Sequence, residues 1–301
     1  MFRILSKESN IFSIPVYMAF LLLILILLNL INFNYLELKL TSAIVTFLEI
    51  SLGYFLFNTI ALNRHEHLPI FLYTIFVICF YSGTLNLELA FTLLVNYLLL
   101  LILTNRNDYL RKSAFVLVGA ILALNYLIFP YSWPMTIFVI FHIIGNSGRI
   151  GLNIFRLIFG ALLIVMSYFG LMYFLNYTKW DNYYFPFSLD FRFLNSFYPL
   201  FILIPIILML IYSVLDHFIH YSDKSPISRY KYTFILIFSL AQLMTIFFYM
   251  KNDYEFLLLL ALPSSIILSR MLRFLPKYWM QECSLWLIIF TLIVFKLANY
   301  F

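Results

Sequence analysis

From Ile11 onward the chain alternates between long apolar runs and short polar connections, and the runs have the length of membrane helices. A crossing helix needs about 20 residues, with a range near 17–25. Eleven stretches match or approach that length: 11–33, 40–62, 68–84, 86–104, 113–129, 134–148, 153–176, 198–215, 231–249, 255–271 and 283–300. The pattern predicts an all-α, polytopic transmembrane helical bundle of about 11 spans, with residues 1–301 forming a single integral membrane domain. The first run follows Arg3 and Lys7 and is far longer than the roughly 7–15-residue core of a cleaved leader, so it reads as an uncleaved anchor.

Two regions leave the path open. Spans 113–129 and 134–148 are short and meet at Pro130–Pro134, so 113–148 either crosses twice or dips in as a re-entrant hairpin. Both paths return the chain to the side it left, and charge does not separate them. Residues 177–197 form the longest outward connection, with Trp180, Tyr183, Tyr184 and Phe185. These aromatics suit an interfacial segment at headgroup level or a platform that stacks on sugar rings. Pro15, Pro205 and Pro263 fall inside spans and predict kinks. Glycine is scarce, at 8 residues with no GxxxG pair, so helix packing is not expected to rest on that close-approach motif. With 35 Phe and 23 Tyr, bulky aromatic contacts are expected instead.

Charge orients this layout. With a cytoplasmic N-terminus, fourteen basic residues fall inside: Arg3, Lys7, Arg64, Arg106, Arg111, Lys112, Arg149, Arg156, Lys224, Arg229, Lys231, Arg270, Arg273 and Lys277. Lys39, Lys179, Arg192, Lys251 and Lys296 fall outside. The positive-inside rule then places the N-terminus in the cytoplasm and the chain in a cytoplasmic membrane. The net charge of +6 is spent on inner loops that meet anionic headgroups, which argues against nucleic acid as a partner. A chain 64% hydrophobic and 11% charged is no soluble globule, since soluble proteins carry about 25% charged residues. The spans leave no room for a soluble catalytic domain. Cys79 and Cys283 lie far apart and predict neither a disulfide nor a metal pair.

Within the spans, Glu49 is the sharpest residue. A carboxyl at mid-membrane costs roughly 3 kcal/mol on insertion scales, so it faces the bundle interior. It serves either as a proton carrier, base or counter-ion, or as a protonated group bonded to Asn96, Asn125 or Gln242. All five histidines, His65, His67, His142, His217 and His220, fall near the inner face. Asp216 and His220 share a helical face at i,i+4. Converging imidazoles would hold iron, as in membrane oxygenases, but no HxxxH or HxxHH box is present. Gly145–Gly151 lacks the Lys-Ser/Thr of a phosphate loop and reads as a tight turn, with Arg149 and Arg156 as clamps for a lipid phosphate. Glu37 stands in the first outer loop, where polyprenyl-phosphate glycosyltransferases place a catalytic acid, yet that loop is short and lacks a paired Asp.

The stretches Leu257–Ser269, Phe274–Phe301, Tyr109–Phe115 and Tyr126–Ser132 resemble an uncharacterised family of multi-pass inner-membrane proteins from the Bacteroidota, chiefly flavobacteria. Some members of that family carry the label carotene monooxygenase; the resemblance brings no site residues with it. The expected role is an accessory component of envelope assembly, of unassigned activity, whose partners are membrane lipids or lipid-linked intermediates and which needs no cofactor. The alternatives are an iron-dependent membrane oxygenase acting on a carotenoid-like substrate, a glycosyltransferase-like enzyme, and a proton-coupled transporter working through Glu49.

Overall fold

The computed structural model of the chain describes residues 1–7, 12–31, 36–60, 66–81, 86–104, 114–146, 148–176, 184, 198–250 and 253–300. Among the described residues every regular element is helical. In chain order these are α1 (Phe2–Leu5), α2 (Ser13–Ile31), α3 (Leu36–Ile60), α4 (His67–Phe80), α5 (Leu87–Leu103), α6 (Phe115–Ile128) and α7 (Pro134–Asn146). They continue with α8 (Ile150–Phe174), α9 (Tyr198–Phe201), α10 (Ile204–Ile219), α11 (Pro226–Tyr249), α12 (Ala261–Phe274) and α13 (Tyr278–Tyr300). Short 3₁₀ segments cover Pro130–Ser132 and Tyr254–Leu260. Each apolar run of the sequence carries a helix. Four helical stretches are long and apolar enough to cross a membrane: Ile150–Phe174, Ser228–Tyr249, Tyr254–Phe274 and Tyr278–Ala298. Shorter apolar helical stretches of 10–17 residues lie within α2, α3, α4, α5, α6 and α10, and another runs over Pro130–Gly145.

The prolines expected to kink spans mark helix starts instead. Pro15 is the third residue of α2, Pro205 the second of α10 and Pro263 the third of α12. At these positions the missing N–H would have no intrahelical partner in any case. Pro205 divides the run 198–215 into α9 and α10, and the chain before Pro263 tightens into a 3₁₀ turn. Glu37 also departs from expectation: it lies in the first turn of α3 and not in a loop.

The core centres on the 3₁₀–α12 unit, which packs against α4, α10, α11 and α13. In its most apolar stretch 94% of residues are buried, whereas α8 buries only 11%. α8 instead displays Phe155, Phe159, Leu162, Met166 and Phe169 outward. An exposed apolar ridge of that size suits hydrocarbon and not water.

Polar contacts sort the helix ends into two poles. At one pole the N-terminal amine lies 2.8 Å from Glu282 Oε1, and the Phe2 N–H donates to Glu282 Oε2 at 2.9 Å. Arg273 pairs with Glu66, joining the end of α12 to the start of α4. At the other pole Lys296 donates to the Tyr81 carbonyl. Trp133 Nε1 donates to Tyr249 Oη at 2.7 Å, and Tyr126 Oη donates to the Tyr184 carbonyl at 2.6 Å. Of the 177–197 connection, only Tyr184 is among the described residues.

Two helices approach closely without a GxxxG motif. A Cβ on Gly119 of α6 would lie 2.0 Å from the Leu157 carbonyl oxygen, and one on Gly160 of α8 would lie 1.9 Å from that of Val116. Two single glycines on different helices thus do what a GxxxG pair does on one. Elsewhere aromatics do fill the interior, as with Tyr54, Tyr73 and Phe57, whose rings pack edge to face at 5.2 and 5.5 Å.

Candidate functional site

At the pole of the α10–α11 turn, α7 and α11 leave a cavity of about 290 Å³ between them. Its α11 wall is Pro226, Arg229, Tyr230, Thr233, Phe234 and Ile237, spaced at three and four residues so that they share one helical face. The α7 wall repeats that spacing with Phe138, Phe141, His142 and Gly145. Phe138, His142 and Phe234 form the buried part of the lining. Phe141, Tyr221 and Tyr230 form its exposed part, with Arg229 beside them.

Local chemistry holds Arg229 in place. Ser225 caps α11, its hydroxyl accepting from the Ser228 N–H at 3.4 Å, and Pro226 opens the helix. Arg229 folds back over the turn: Nε donates to the Lys224 carbonyl at 2.6 Å and Nη2 to the Ser222 carbonyl at 2.7 Å. Its guanidinium also lies 5.1 Å from the centre of the Tyr221 ring. Thr233 links the cavity to the interior, since its hydroxyl lies 3.4 Å from His217 Nε2. Lys224 Nζ sits 3.5 Å from His217 Nδ1 and 3.8 Å from Asp216 Oδ2. Burial, and next the Arg270 guanidinium, push the Lys224 ammonium below its usual range.

The family model that covers residues 1–301 is DUF6427, a family of unknown function. The chain belongs to the DUF6427 family. No curated protein and no solved structure matches it.

The structure of this DUF6427 member disperses the histidines. His142 packs on the cavity wall, 5.1 Å from the Phe234 ring. His217 of α10 is buried against the Tyr232 ring of α11, 4.3 Å away. His220 pairs with Asp216 at 3.0 Å, as the i,i+4 spacing predicts, and His67 lies 6.2 Å from Tyr17. His65 lies outside the described residues. Among the described residues no three His, Cys, Asp or Glu side chains gather in a way that would hold a metal. Cys79 and Cys283 are both free thiols.

Glu49 is buried at 1% exposure, with its Oε2 lacking a hydrogen-bond partner. The amides considered as its partners pair elsewhere. Asn96 Nδ2 donates to Gln242 Oε1 at 3.2 Å, and Thr92 donates to Asn125 Oδ1 at 3.2 Å. Nearest in character are two phenols: Tyr73 Oη donates to the carbonyl of Ile50 at 3.4 Å and also reaches Tyr97 Oη at 3.4 Å. Arg149 precedes α8, and Arg156 turns back to Asn153 Oδ1 at 3.5 Å; neither lines the cavity. The residue that does is Arg229, which sequence reading counted only as an inner charge. Its signal was the three-four spacing of polar and aromatic residues from Pro226 to Ile237. That spacing acquires meaning only when α7 is known to face it.

Proposed function

We propose that this DUF6427 member is a multi-pass protein of the bacterial inner membrane that holds a lipid or lipid-linked intermediate as an accessory component of envelope assembly. The observation that carries the reading is the α7–α11 cavity, lined by buried Phe138 and Phe234 together with Arg229. An amphipathic ligand matches it, with its chain against Phe138, Phe141 and Phe234 and an anionic head beside Arg229.

The reading includes about eleven crossings with a cytoplasmic N-terminus, the side on which the positive-inside rule puts the basic residues. The N-terminal amine shares its pole with Glu282, Arg273, Glu66 and the basic α10–α11 turn, as alternating crossings require. The tip of the 113–148 hairpin reaches Tyr249, at the far end of the full-length α11, which favours two crossings over a shallow dip.

Gly145 supplies the test. It lines the cavity, and a Cβ there meets nothing within 4 Å, so Gly145→Leu fills the space without displacing backbone. Lipid extracted from the purified wild type and from Gly145→Leu is to be quantified by mass spectrometry. One lipid species should be enriched over the bulk membrane in the wild type and depleted in the variant, with the melting temperature kept. Equal lipid profiles in both proteins would sink the proposal.

A further inference from the structure

The α11 wall of the cavity is graded along the helix. Arg229, Thr233 and Ile237 line it at four-residue intervals, so a guanidinium, a hydroxyl and a hydrocarbon follow one another up one helical face. At 1.5 Å of rise per residue, Thr233 stands about 6 Å beyond Arg229 and Ile237 about 12 Å beyond it. α7 runs alongside, with its Phe138 and His142 rings 5.2 and 5.1 Å from the Phe234 ring.

The cavity is therefore a slot. Its volume of about 290 Å³ holds about ten groups the size of a methylene, taking roughly 30 Å³ for each, the share of one water molecule in the liquid. Spread over about 12 Å of helix, that volume leaves a section only about 5 Å across. One hydrocarbon chain fills such a section at ordinary carbon–carbon contacts of about 4 Å, and two chains side by side do not fit.

His217 decides what Thr233 offers to the slot. Lys224 Nζ lies 3.5 Å from His217 Nδ1, and an ammonium only donates, so Nδ1 accepts. The imidazole proton then sits on Nε2 and is directed at Thr233 Oγ1, 3.4 Å away. Thr233 accepts from His217, which leaves its own O–H to donate into the slot. A bare hydrocarbon chain makes no use of that donor. A ligand with an acceptor one helical turn from its anion does.

We propose that the cavity takes a monoacyl glycerophosphate, with its phosphate beside Arg229, its ester carbonyl at Thr233 and its one acyl chain along Phe138 and Ile237. The three-carbon glycerol bridge sets phosphate and ester carbonyl about one helical turn apart, which matches the Arg229–Thr233 spacing. This inference rests on the reading of the cavity as a lipid site and narrows it. A diacyl lipid brings one chain too many, and an isoprenyl phosphate has no acceptor where Thr233 stands.

The full chain is to be melted in diacyl phosphatidylcholine nanodiscs, because a single-chain detergent would itself compete for the slot. Monooleoyl glycerophosphate, oleyl phosphate and dioleoyl phosphatidic acid are each titrated into wild type, Thr233→Val and Gly145→Leu. The monoacyl ligand should raise the wild-type melting temperature saturably by several degrees and leave Gly145→Leu unmoved. Thr233→Val should weaken its apparent affinity about fivefold, the worth of one hydrogen bond, and leave that of oleyl phosphate unchanged. Equal protection by dioleoyl phosphatidic acid, no protection by the monoacyl ligand, an unchanged Thr233→Val response, or a loss shared with oleyl phosphate overturns the proposal. Should Thr233→Val fail to fold, the oleyl ether analogue, which lacks the carbonyl, carries the comparison on wild type, and affinity equal to that of the ester overturns it. The two readings fall separately: a diacyl lipid enriched in wild type and lost from Gly145→Leu sinks this inference and leaves the lipid site standing.

Discussion

Gly119 of α6 and Gly160 of α8 lock two helices together by mutual absence: each would drive a Cβ to within 2.0 Å of a carbonyl oxygen on the other helix. A real Cβ does not tolerate such a distance to backbone, so the helices must separate if either glycine is replaced. Overpacking of this kind typically costs 1–3 kcal/mol, occasionally more. We expect Gly119→Ala and Gly160→Ala each to destabilise the detergent-solubilised protein by about 2 kcal/mol or more. Gly170→Ala, in the same helix with nothing within 4 Å of its added Cβ, should be neutral or slightly stabilising. Thermal melts of the three variants decide it; equal stability of all three would remove the close approach.

Glu49 keeps a carboxyl oxygen in the protein interior without a partner. Leaving a buried polar atom unsatisfied costs roughly 1–3 kcal/mol, whereas an apolar group of similar shape avoids that cost. Glu49→Met should therefore raise the melting temperature. If Glu49 works in the protein's cycle, the same variant should lose function in cells, because functional residues are commonly held at the expense of stability. A melting temperature that falls instead would mean that Glu49 is held by bonds that stabilise the fold.

Topology is testable with the two native thiols. Cys283 is exposed in the first turns of α13, near Glu282 and the N-terminal amine, while Cys79 is buried. On the proposed inner-membrane topology, a membrane-impermeant maleimide should label Cys283 only after that membrane is breached, and Cys79 should resist labelling until the protein unfolds. Labelling of Cys283 from the periplasmic side of intact spheroplasts would reverse the orientation.

The helices themselves were legible because a membrane span must satisfy its backbone locally and carry an apolar surface over a set length. Periodic runs record both demands, and a helix lies on each of the eleven. Boundaries were less legible. Pro205 and Pro263 lie inside apolar runs, and only the path of the chain reveals that they begin helices. The candidate site was half legible. Asp216 and His220 are near in sequence, and their pairing followed from helical spacing alone.

What the sequence by itself determined is the all-helical character of this DUF6427 member, the placement of its apolar runs and the uneven distribution of its charge. Those are consequences of backbone hydrogen bonding and hydrophobicity acting within short windows. The tertiary structure alone decided which faces meet: Gly119 with Gly160, Phe141 across a cavity from Phe234, Arg270 beneath Tyr232. Each of these pairs lies tens of residues apart on separate helices, and an apolar helix offers several faces of nearly equal hydrophobicity to its neighbours. Shape and the few buried polar atoms choose among those faces, and neither can be read from one helix at a time.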